Sequence, residues 1–182
     1  MRAPRALPLL PLLLVACAQQ PDYRAETAPP EAVTALDLER YQGLWYEIAR
    51  YPNRFERGCT AVTARYALRE DGKVAVTNSC LKDGERDVAE GVARRTGEAT
   101  LRVRFAPSWV PFAEGDYWVL ALEPDYSAAL VGSPDGKYLW ILSRTPSLSG
   151  EVLDRMIAEA EARGYDADAL ELTPQPAGPP SA

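Results

Sequence analysis

The sequence predicts an all-β domain: an eight-stranded antiparallel up-and-down barrel with a C-terminal α-helix packed on its outside. Three observations carry that expectation. Short runs of β-branched and aromatic residues recur from about residue 43 to 144, turn signals separate them, and the hydrophobic period then changes from two to that of a helix.

The runs cover residues 43–50, 60–68, 73–79, 86–95, 99–105, 116–122, 128–132 and 138–144. Between them, Asp71-Gly72 and Asp135-Gly136 read as two-residue hairpin turns, because glycine accepts the positive φ that such turns demand. Residues 151–163 then set Val152, Met156, Ile157 and Ala160 on one helical face, with Ser149 as the N-cap and Gly164 as the stop. That face needs an apolar surface, which the outward positions Trp118, Leu120, Leu122, Leu139 and Ile141 supply. Eight strands make a barrel wide enough for one small ligand, and closure removes exposed sheet edges.

The ends read differently. Residues 1–17 (MRAPRALPLLPLLLVAC) carry two arginines, a short apolar run broken by Pro8 and Pro11, and a small residue before Cys17. This is the pattern of a signal peptide and is too short for a membrane-spanning helix. Its ending, Leu14-Val15-Ala16-Cys17, resembles the bacterial lipobox. The resemblance implies acylation of Cys17, with Ala18 at the second mature position favouring an outer-membrane protein that faces the periplasm. Residues 18–35, rich in Ala, Pro and Gln, read as a flexible tether, residues 36–172 as the domain, and the Pro-rich residues 173–182 as a disordered tail.

The formal net charge of −6 argues against a nucleic-acid partner, which needs clustered Lys and Arg. The chain has no histidine, which removes Ser/His/Asp and Cys/His nucleophile systems, His-ligated zinc and His-ligated haem together. Neither a cofactor nor a metal is expected.

The segment Gly43-Leu44-Trp45-Tyr46-Glu47-Ile48-Ala49-Arg50 looks like the G-x-W motif that opens a lipocalin barrel. About one hundred residues later, Leu142-Ser143-Arg144-Thr145-Pro146 is similar to the arginine motif that ends the last strand, and Asp125-Tyr126 lies between them at the third motif's position. With these motifs in order on an eight-strand pattern, the chain is identified as resembling the bacterial lipocalin group, related to apolipoprotein D, over residues 36–172. The resemblance implies that Gly43 permits a close approach at the barrel base and that Trp45 closes it beneath Arg144. It also implies a protein that binds an apolar ligand without transforming it.

Strand alternation nominates the pocket, since successive side chains point to opposite faces. With Arg65 facing water, Val62, Ala64 and Tyr66 face inward; the same logic selects Val74, Val76 and Asn78, then Leu101, Val103 and Phe105, then Tyr117, Val119 and Ala121. Arg144 sets the parity of the last strand, which turns Trp140 and Leu142 inward. Small residues at Ala64, Ala89, Gly91, Ala93 and Ala121 favour an open calyx over a filled one. The loop bearing Trp109 and Phe112 lies at the open end, as a ligand gate, a surface dipping into lipid or a lid.

With Cys17 assigned to acylation, Cys59 and Cys80 remain in an oxidising compartment and are expected to pair, although strict hairpin register would set residue 84 opposite Cys59, so a bulge is required. Two free thiols are the alternative. The carboxylates form no catalytic constellation; Glu47, which shares the parity of Trp45, is the exception that points inward.

The functional expectation is therefore a membrane-anchored binder of fatty acids, lysophospholipids or similar ligands. A binder of a pigment, tetrapyrrole or signal molecule and a lipocalin-type isomerase using a pocket thiol are the alternatives. A homodimer is left open.

Overall fold

The computed structural model describes residues 20–25, 28–107, 110 and 113–176; Cys17, Trp109 and Phe112 lie outside the described residues. A short helix α1 (Leu38–Tyr41), capped by the Asp37 carboxylate, leads into β1 (Gly43–Arg50). The meander continues through β2 (Cys59–Leu68), β3 (Val74–Lys82), β4 (Glu85–Arg95), β5 (Thr100–Arg104), β6 (Glu114–Leu122), β7 (Ala128–Gly132) and β8 (Leu139–Ser143). Each strand pairs antiparallel with the next, and β1 pairs with both β2 and β8, which closes the barrel. Helix α2 (Gly150–Glu161) follows, with Ser149 accepting from Val152 N at its N-cap and Gly164 at positive φ beyond its end. A short strand β9 (Glu171–Leu172) then pairs with the top of β1.

The helix docks as its period requires. Met156 and Ala160 are buried, with Val152, Leu153 and Ile157 packed beside them, on a sheet face made by Leu120, Leu130, Leu139 and Ile141. Full burial of each large aliphatic side chain stabilises by about 1.5–3 kcal/mol, so this outer core is a second centre of stability besides the barrel interior.

Two β-bulges correct the expected alternation. In β6 the register shifts between Val119 and Ala121, so Ala121 joins the outer core and Leu122 the inner one, the reverse of strict alternation. In β1 the register shifts between Glu47 and Ala49, which puts Ala49 outside and carries Arg50 to the face it shares with its cross-strand partner Trp140.

The turns are also corrected. Asp71-Gly72 belongs to a five-residue connection in which Gly72 N donates to Arg69 O (3.0 Å), and Asp135-Gly136 to a longer one closed by Ser133 N to Tyr138 O (2.9 Å). The two-residue turn is Asp83-Gly84, where both residues have positive φ and Lys82 pairs with Glu85.

Both supposed appendages are in part structured. Of the expected tether, residues 20–25 and 28–35 lie against the barrel, with backbone hydrogen bonds from Tyr23 to Gly136 and from Val33 to Val119. Of the expected tail, Thr173 donates to Ile48 O, Pro174 accepts from Ala61 N, and Gln175 reaches Glu47 O and Val62 O. The reason is local. Above Tyr46–Thr63, β1 and β2 no longer pair, Ala61 takes positive φ, and residues 171–175 satisfy the backbone groups left open.

Candidate ligand-binding site

The closed end is built around Trp45. Its indole Nε1 donates to Tyr41 O (2.8 Å), and the Arg144 guanidinium carbon lies 3.8 Å from its ring centroid. Arg144 also donates to Arg40 O (2.7 Å), Leu44 O (2.9 Å), Tyr41 O (3.0 Å) and Tyr126 O (3.3 Å), so its planar fork ties α1, β1 and the β6–β7 turn together. Gly43 has φ +99°, and a Cβ there would meet Arg144 Nη1 at 3.3 Å, which accounts for glycine at this position.

Above the tryptophan sits a tyrosine triad. Tyr41 Oη and Tyr117 Oη are 2.7 Å apart, and Tyr117 donates to Tyr66 Oη (2.9 Å). Tyr117 has one proton to give, so it accepts from Tyr41, and the Tyr66 proton is left for a partner outside the triad. Burial pushes all three phenols well above the ordinary tyrosine range, so they stay neutral donors. With Leu38, Val74, Ala93, Leu101 and Val103 they line a small apolar pocket at the floor.

Two inner rows cross β2, β3 and β4. Ala64, Asn78 and Ala89 stand opposite one another across β2, β3 and β4, and Tyr66, Val76 and Gly91 form the adjacent row. A Cβ on Gly91 would fall 2.8 Å from the Phe105 ring, so that ring occupies the space a side chain would take. Phe105 is 45% exposed near the mouth. Val119 and Leu142 are buried in the inner core, with Val103, Tyr117 and Trp140 packed against it. Val62 is buried instead with Cys59 and Cys80 in a separate cluster on β2 and β3. The predicted pocket residues thus fall into a floor around the tyrosine triad, an inner row of small side chains on β2, β3 and β4, and a rim at Phe105.

Sequence reasoning missed the polar wall. Arg50, which the β1 bulge turns inward, lies with Nε 3.6 Å from Glu47 Oε1 and 3.4 Å from Glu56 Oε2, and Nη2 donates to Glu56 O (3.1 Å). Trp140 Nε1 donates to Glu56 Oε2 (3.3 Å), and Thr173 Oγ1 donates to Glu47 Oε1. Burial, reinforced by the facing Glu56 carboxylate, holds the Glu47 carboxyl well above the usual range, despite Thr173 and Arg50. Arg50 Nη1 also lies 4.0 Å from Glu171 Oε2, so one guanidinium faces three carboxyl groups. Asn78 Oδ1 is buried with no hydrogen-bond partner among the described residues, an acceptor free for a ligand. Phe55, Tyr138 and Trp140 continue the wall to the mouth, the last two rings stacked at 5.6 Å. The inward parity of Glu47 was the available signal; Arg50 and Glu56 gave none, because a bulge and a loop place them.

Cys59 and Cys80 form a disulfide, Cα–Cα 5.5 Å, with the expected bulge between Thr60 and Thr63 bringing them together. The pocket thiol that the isomerase alternative requires is therefore absent among the described residues.

Comparison with known proteins agrees with this architecture. A model of the lipocalin-like domain matches residues 36–175, which includes the β9 segment and Gln175. The chain is 42% identical over 182 residues to outer membrane lipoprotein Blc of Escherichia coli K12, covering 94% of this chain and 98% of that one. It is also 42% identical over 158 residues to temperature-induced lipocalin-1 of Arabidopsis thaliana, covering 82% and 85%. Among solved structures, insecticyanin from the tobacco hornworm Manduca sexta superposes with a TM-score of 0.65 at 24% identity, over 86% of this chain and 88% of that one, a likeness of fold. The chain belongs to the lipocalin-like family.

Proposed function

We propose that this chain is an outer-membrane lipoprotein that holds a single-chain lipid, a fatty acid or lysophospholipid, in its calyx and stores or carries it within the cell envelope. The observation that carries the reading is the division of the barrel interior. An apolar interior with Ala64, Val76, Gly91 and Val103 along it and Phe105 near its mouth suits an acyl chain, and the wall of Glu47, Arg50, Glu56, Asn78 and Trp140 offers charged and neutral partners to a polar end. The similarity to an outer membrane lipoprotein supports the location, and Cys17 supplies the acylation site. Several acyl chains at about 0.8 kcal/mol per buried methylene anchor a protein durably.

Tryptophan fluorescence tests the pocket. In the chain beginning at Ala18, palmitate or lysophosphatidylethanolamine is expected to quench or shift the emission saturably, and Trp140→Ala to remove most of the response. A folded protein that responds to neither lipid contradicts the reading. For the anchor, Cys17→Ser is expected to release the protein from the membrane.

A further inference from the structure

The N-terminal segment enters the molecule at a particular end. Gln20 Nε2 donates to Pro52 O (2.5 Å) and Lys137 O (3.4 Å), which places it between the β1–β2 loop and the β7–β8 turn, both at the open mouth. Tyr23 N then donates to Gly136 O (3.1 Å), Asp166 N to Tyr23 O (2.8 Å) and Ala25 N to Gly164 O (3.0 Å). Further along, Glu31 O accepts from Arg163 Nε (3.0 Å) and Val33 N donates to Val119 O (2.9 Å) near the floor. The segment thus descends the outside of the barrel from mouth to floor. It is pressed onto the β7–β8 turn, since a Cβ on Gly136 would come within 2.3 Å of Arg24 Cβ.

Cys17 precedes Gln20 by three residues, which extend to at most about 11 Å. A nine-residue strand such as β3 runs about 30 Å at roughly 3.3 Å per residue. A lipid on Cys17 therefore reaches a bilayer beside the mouth and falls well short of one beneath the floor. The rim is equipped for such a surface. Phe55 is 63% exposed, Leu172 68% and Leu81 37%, and the exposed cations Arg54, Arg57 and Lys82 and carboxylates Asp83, Glu85 and Glu171 stand among them. Arg54 lies 4.8 Å over the Phe55 ring, in the loop that Gln20 touches. Exposed aromatic and aliphatic side chains set among charges of both signs suit the headgroup boundary of a bilayer, where apolar groups enter and charged groups stay in water.

We propose that the mouth of the calyx rests on the phospholipid surface to which Cys17 is anchored, with Phe55, Leu81 and Leu172 in the headgroup region. A lipid then passes between bilayer and pocket without crossing bulk water. The proposal rests on the acylation of Cys17.

Photo-crosslinking in the full-length lipidated protein tests it, in vesicles of phosphatidylethanolamine and phosphatidylglycerol. A benzoylphenylalanine is placed at Phe55 or Leu81 at the mouth, or at Leu68, which is 40% exposed on β2 at the closed end. Mass spectrometry confirms the lipid on Cys17 and the Cys59–Cys80 disulfide in each variant. The expected result is several-fold more phospholipid adduct at Phe55 and Leu81 than at Leu68, falling toward the Leu68 level when about ten Gly and Ser residues are inserted after Gln19. Equal or greater labelling at Leu68 in a lipidated, disulfide-bonded protein overturns the orientation alone. A chain processed without lipid on Cys17 overturns the anchoring reading and the orientation with it.

Discussion

Replacing Arg144 by alanine is expected to destabilise the barrel by about 3 kcal/mol. The half-buried guanidinium contributes about 1 kcal/mol through its contact with the Trp45 ring at 3.8 Å. Its hydrogen bonds to the carbonyls of Arg40, Leu44, Tyr41 and Tyr126 carry a charged donor, a class of bond that contributes about 1.5–3 kcal/mol when well formed. The sum is discounted because Arg144 keeps solvent contact and freed carbonyls at the base can turn to water. Arg144→Lys keeps the charge but cannot reach four carbonyls with one ammonium, so it is expected to fall between wild type and alanine. Urea unfolding of the chain beginning at Ala18, followed by tryptophan emission with the disulfide intact, reads the effect as a lower midpoint at unchanged slope. In heat it corresponds to a Tm lower by about 6–12 °C for a domain of this size. An Arg144→Ala protein within about 1 kcal/mol of wild type would refute the view that this residue fastens the closed end.

Four further outcomes are expected. Removing the disulfide by Cys59→Ala with Cys80→Ala, which opens a loop of sequence separation 21, is expected to cost about 3 kcal/mol in the chain-entropy model, measured by urea unfolding. Met156→Ala, at the centre of the α2 contact, is expected to cost about 2–5 kcal/mol and to leave lipid binding intact, because that surface is outside the calyx. Glu47→Gln tests the polar wall: the folded pKa of Glu47 is raised, so its contribution to stability is fully present below the ordinary carboxylate value and is lost as pH rises through the folded value. Wild type is therefore expected to lose stability relative to Glu47→Gln as pH rises above the ordinary carboxylate range, and parallel pH profiles would count against a buried protonated carboxyl. Ala64→Trp, on the inner row between its cross-strand neighbours Trp45 and Asn78, is expected to crowd the barrel interior and abolish binding of palmitate, with circular dichroism and the Cys59–Cys80 disulfide confirming that the protein is folded.

The parts that a period or a motif specifies were legible in the sequence. Trp45 and Arg144, a hundred residues apart, meet as the motifs imply, and Val76, Val103, Tyr117 and Leu142 lie where alternation puts them. Alternation fails at a bulge, because one extra residue reverses every later side chain on that strand. That single effect misplaced Ala121 and Leu122 and hid Arg50, and with it the charged wall of the site. Residues 18–35 read as a tether because Pro and Ala carry no periodicity, yet residues 20–25 and 28–35 are held by backbone hydrogen bonds to Gly136, Gly164 and Val119, which leave no mark on side-chain pattern. Tyr41 was equally invisible: α1 is four residues long, too short for a hydrophobic period, and its role depends on the distant Tyr66 and Tyr117.

The central claim is that the calyx holds a lipid in the cell. Native mass spectrometry of the protein purified from its own envelope in mild detergent, before and after organic extraction, tests it without presupposing a ligand. The account predicts a population heavier than the lipidated chain by the mass of one fatty acid or lysophospholipid, which extraction removes and which Ala64→Trp fails to acquire. A wild-type protein that is always recovered at the bare lipidated mass, and that gains none when incubated with either lipid, would contradict it.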